Sequence, residues 1–126
     1  MRSKRLLFVV AMAGLMMGAQ PVFAASAAVK QMAGIMDHLM HYPSDAEKAQ
    51  LQTIIDDKGS SAQEKVVARS IKDLQHHVAA GDVDGLKQVM ADASAPQDVR
   101  DLAGIVLNIS HMPSADDKMK LEAMMK

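Results

Sequence analysis

Apolar residues recur along this chain at helical spacing, and the whole pattern returns every 35 residues. Val29, Met32, Ala33, Met36, Leu39 and Met40 follow the i, i+3, i+4, i+7 rule, which predicts a helix with one buried face. Pro43 ends that helix. Ser44 and Glu47 form a capping box, in which the serine accepts from the backbone and the glutamate reaches back. A second helix follows with Leu51, Ile54 and Ile55 inward, and the polar run Asp57 to Ser60 closes it.

The next copy opens on another capping box, Ser61 and Glu64, and carries Val66, Val67, Ile71 and Leu74 inward. Gly81 interrupts it, and Asp82 is placed to cap a short helix bearing Val83, Leu86, Val89 and Met90. A third copy starts near Ser94, with Pro96 in the first turn, where a missing N–H has no consequence. Its inner positions are Val99, Leu102, Ala103, Val106 and Ile109, and its last helix holds Leu121, Met124 and Met125. Ala33, Ala68 and Ala103 coincide in this register, as do Leu51, Leu86 and Leu121. The acidic positions Glu47, Asp82 and Asp117 coincide as well. No β pattern competes. The expected fold is all-α: six helices as three antiparallel hairpins, with repeats near 26–60, 61–93 and 94–126. The hairpins either stack as a short solenoid or close as a helical bundle.

Residues 1–24 read differently. A basic start at Arg2, Lys4 and Arg5 precedes the apolar run Leu6 to Ala19, and Val22 and Ala24 give a small-residue pattern. That is the layout of a cleavable secretory signal, and it is short for a membrane span. Residues 25–126 are then expected to form a single domain, periplasmic or secreted, with no membrane attachment after cleavage. The chain has no Cys, so packing alone must hold it, whatever the redox state of its compartment. Cleavage would remove three basic residues and no acid, leaving an acidic domain with no electrostatic reason to seek nucleic acid. Both Phe residues lie in the leader, so Tyr42 is the only aromatic beyond it. The core must be aliphatic and methionine-rich.

Candidate chemistry is confined to His and Met. His41, His76 and His111 sit at the same place in each copy. Near the ends of equivalent helices, imidazoles can serve the free carbonyls there. In a stacked solenoid they would stand on the order of 10 Å or more apart, too far to share an ion. A cluster peculiar to the first copy is His38, Met40 and His41, a set that suits copper because thioether and imidazole both bind it. These three are the candidate metal ligands. The stripe Met32, Met36, Met40 reads as adaptable core filling. Asp82 and Asp84 faintly suggest a calcium loop but lack its other ligands. No nucleophile motif, phosphate loop or zinc-protease helix is present, and no enzymatic activity is expected. The function expected is a non-enzymatic binding or accessory role in which another protein occupies a helical groove. The alternative is periplasmic copper binding or carriage through His and Met, copper being the one cofactor the sequence suggests.

Overall fold

The computed structural model describes residues 25–126. The expected leader, 1–24, lies outside the described residues. Six α-helices follow one another: α1 (Ala27–Asp37), α2 (Asp45–Asp56), α3 (Ala62–Lys72), α4 (Val83–Ala91), α5 (Gln97–Asn108) and α6 (Ala115–Met125). A 3-10 turn, Ala80–Asp82, leads into α4. The fold is all-α, as the periodicity predicts.

Helix starts follow the local chemistry. The Ser44 hydroxyl accepts from the Glu47 N–H while the Glu47 carboxylate accepts from the Ser44 N–H. Ser61 and Glu64 repeat that arrangement. Ser26 caps α1 and Ser114 caps α6. The third copy departs from expectation. Pro96 stands where its counterparts are Ser26 and Ser61, and it is the N-cap of α5 without a side-chain bond. Ser94 instead bonds the Asp92 carboxylate in the preceding turn. The middle copy has Ala79 where the others have Ser44 and Ser114. With no side chain to accept an orphan N–H, the chain tightens into the 3-10 turn before α4 begins, and Asp82 makes no side-chain cap.

The core is built from repeat-equivalent positions. Ala33, Ala68 and Ala103 are fully buried, as are Met36, Ile71 and Val106, and Leu51, Leu86 and Leu121. Glu64 occupies the place of Val29 and Val99 and is nonetheless buried. Its carboxylate accepts the Ser61 N–H and, at 2.6 Å, the Ser26 hydroxyl from another copy. A buried carboxylate supplied with such donors avoids the cost of an unpaired one.

Three helix pairs are present, two of them hairpins, and their pairing is offset by half a repeat from the expected copies. The extensive contacts join α2 to α3, α4 to α5 and α6 to α1, whereas helices within one copy touch only slightly. A short polar turn after Asp56 brings α2 and α3 together. No such turn links α6 to α1; that pair is closed by packing and by the Lys30 ammonium, which donates to the Lys126 carbonyl at 3.4 Å. Helices α1, α3 and α5 also contact one another. The result is a closed ring, three inner helices wrapped by three outer ones, and the alternative of an open solenoid is set aside. Two glycines show the equivalence at close range. A side-chain carbon at Gly34 would meet the Met125 sulfur at 3.5 Å, and one at Gly104 would meet the Met90 methyl at 3.4 Å. Met125 therefore covers α1 as Met90 covers α5, across the seam between the first and last described helices.

Candidate metal centre

Closure of the ring changes the place of the histidines. Each lies in the linker after an inner helix: His41 after α1, His76 after α3, His111 after α5. Each has a positive φ, 74° for His41, 67° for His76 and 68° for His111, and they are the only non-glycine residues among those described to do so. On either side of each, the next N–H returns to the preceding carbonyl: Tyr42 to Met40 at 2.8 Å, His77 to Gln75 at 2.7 Å and Met112 to Ser110 at 2.7 Å. These are γ-turns with a left-handed central residue, a strained form. A non-glycine residue held there costs about 1–2 kcal/mol. Strain kept at three equivalent positions points to a role for the side chains it aims.

The three turns are stitched to each other. The His41 N–H donates to the His111 carbonyl at 2.7 Å, His111 to His76 at 2.7 Å, and His76 to His41 at 2.6 Å. This cyclic set satisfies backbone groups that no helix serves, and it places three Cα–Cβ bonds around one axis. The rings then converge. Nδ1 of His41 lies 3.1 Å from Nδ1 of His76 and 3.2 Å from Nδ1 of His111, and the last two are 3.0 Å apart. The rings pack edge to face, with centroids 4.9–5.2 Å apart. All three residues are exposed. The expectation that these histidines stand far apart is corrected: it assumed a stack of repeats, and a ring brings equivalent positions to its axis.

The triangle cannot satisfy itself. In a neutral imidazole each nitrogen is either a donor or an acceptor, never both. Among three mutually adjacent nitrogens at least two are alike. No choice of tautomers gives a hydrogen bond along every edge, and protonation only adds donors. Three Nδ1 lone pairs aimed at one cation remove the conflict. An ion at the usual imidazole distance of about 2.0–2.1 Å could be held by all three nitrogens at once, from one side. That is a facial cap, three ligands on one side of the ion. Loss of solvent around the ring, then the charges of His76, His41 and His77, hold the His111 imidazolium below the usual histidine range. The deprotonated form is the one that ligates.

His41 is joined by His76 and His111 rather than by His38. His38 is the C-cap of α1, and its Nδ1 lies 3.0 Å from the Gly34 carbonyl. The capping role read for the repeated histidines thus belongs to His38. Met40 is exposed beside the triangle, and Met32 and Met36 are core. Tyr42, His77 and Met112 follow the three histidines in sequence. The His77 ring stands 5.4 Å from that of His111, and its Nε2 is 3.4 Å from the Ser110 hydroxyl. The sequence signal for the site was the 35-residue histidine itself, and its meaning depended on closure.

Comparison with protein-family models, with curated proteins and with solved structures finds no match to this chain.

Proposed function

We propose that this chain binds a transition-metal ion through Nδ1 of His41, His76 and His111, and that metal handling is its role. The observation that carries the reading is the convergence of three Nδ1 atoms within 3.0–3.2 Å of one another, an arrangement that tautomers cannot satisfy and one cation can. All-imidazole ligation selects among zinc, copper, nickel and iron rather than calcium or magnesium. Met40 and Met112, both exposed, adjoin two of these histidines in sequence, and thioethers favour copper within that group. The proposed compartment, periplasmic or secreted, rests on the leader pattern of residues 1–24. An exposed site with open positions suits an ion that is taken up and passed on better than one locked in for structure. A protein partner in a helical groove is the other reading of the sequence; the histidine triangle supports metal binding instead.

The test is a titration of the purified, untagged and metal-stripped protein with Cu(II), Zn(II) and Ni(II) against a chromophoric chelator. One ion per chain is expected. His76→Ala is expected to abolish that site, and His38→Ala to leave it intact. No uptake, or uptake that survives His76→Ala and is lost in His38→Ala, overturns the assignment.

A further inference from the structure

We propose that two copies of this chain clasp one transition-metal ion between their histidine faces, forming a metal-bridged homodimer. The proposal rests on the metal site of the preceding section and names its partner. A facial cap fills one side of an ion and leaves the opposite positions open. A six-coordinate ion held this way lacks three ligands arranged as a second such cap, and a second copy presents that cap. The ligands are imidazoles, uncharged when they bind metal, so the two faces bring no ligand charge against each other. A twofold axis through the ion makes the contact self-complementary, the commonest form of homodimer.

The rim of the face supports a protein occupant. Five large hydrophobic side chains are exposed among the described residues, and three of them adjoin the triangle's histidines in sequence: Met40 at 65 %, Tyr42 at 58 % and Met112 at 48 %. Met40 and Tyr42 bracket His41, and Met112 follows His111. The other two, Met90 and Met119, lie on α4 and α6. A metal site open to water gains nothing from an apolar rim. A site closed by another protein surface does, because burial of that rim adds to the coordination energy. The patch is small, so the dimer should form only with the ion present.

The mass of the untagged protein in solution, followed by sedimentation during titration with Ni(II), tests this. The metal-free protein should have the mass of one chain. Half an equivalent of metal should double it. Excess metal should restore the single-chain mass, because each cap then takes its own ion. Replacement of Tyr42 by Ser should keep one ion per chain in excess metal while weakening the doubling at least tenfold. A single-chain mass at every ratio, with one ion still bound per chain, overturns the dimer and leaves the metal site standing. Doubling without metal, or doubling that persists in excess, also overturns it. Absence of any metal uptake overturns both readings.

Discussion

The carbonyl oxygen of His111 accepts the amide proton of His41 at 2.7 Å, across 70 residues of sequence. This bond closes a cycle that His76 completes, and it joins the first copy of the repeat to the last. Its geometry requires the left-handed backbone at all three histidines. The backbone cycle and the side-chain triangle are therefore one construction, in which strained turns hold three imidazoles together.

That division of labour is separable by mutation. His76→Gly keeps the turn and relieves its strain, whereas His76→Ala keeps the strain. The metal-free glycine variant is expected to be more stable than the alanine variant by about 1 kcal/mol, measured by urea denaturation, while both lose the ion. Equal stabilities would show that the positive φ of His76 is not maintained in solution.

Closure makes a second demand. Leu51, Leu86 and Leu121 are equivalent and fully buried. In an open stack the terminal copy is the least supported. In the ring, Leu121→Ala should cost as much as Leu86→Ala, roughly 2–5 kcal/mol each. Chemical denaturation of the two variants side by side checks this, and a nearly neutral Leu121→Ala would mean that α6 is not seated on α1.

The middle copy offers a stabilising change. Ala79 already has the extended backbone of a cap, φ −68° and ψ 141°, close to Ser44 and Ser114. Ala79→Ser restores the missing hydroxyl and should add about 1 kcal/mol. Thermal melting should shift upward, and amide exchange in the first turn after residue 79 should slow.

Asp82 sets a pH dependence of known sign. Burial, then the hydrogen bond and charge of Asp73, raise its carboxyl above the ordinary 3.8 against the opposing charge of Arg69. One of its oxygens is buried without a partner. A carboxyl that holds its proton more tightly folded than unfolded destabilises the fold when ionised. That penalty is present at neutral pH and fades as pH falls through the raised value to about 3.8. Asp82→Asn should therefore melt higher than the parent at pH 7, with the advantage shrinking on acidification to pH 4. An advantage unchanged over that range would place its cause elsewhere.

Much of this molecule was determined locally and so was readable without coordinates. The 3.6-residue period placed α1 through α6, because each helix must bury one stripe. Ser44 with Glu47 and Ser61 with Glu64 set their helix starts through bonds spanning three residues. The 35-residue period required that whatever one copy does, its equivalents do also. Local pattern contains no term for the angle between successive copies, and that angle decides whether equivalent residues spread along a stack or meet on an axis. Only the tertiary packing, with α6 against α1 and Met125 on Gly34, settled it as a ring. The same packing moved His41, His76 and His111 from three separate helix ends into one triangle of nitrogens, and it left His38, three residues before His41, against the Gly34 carbonyl of its own helix.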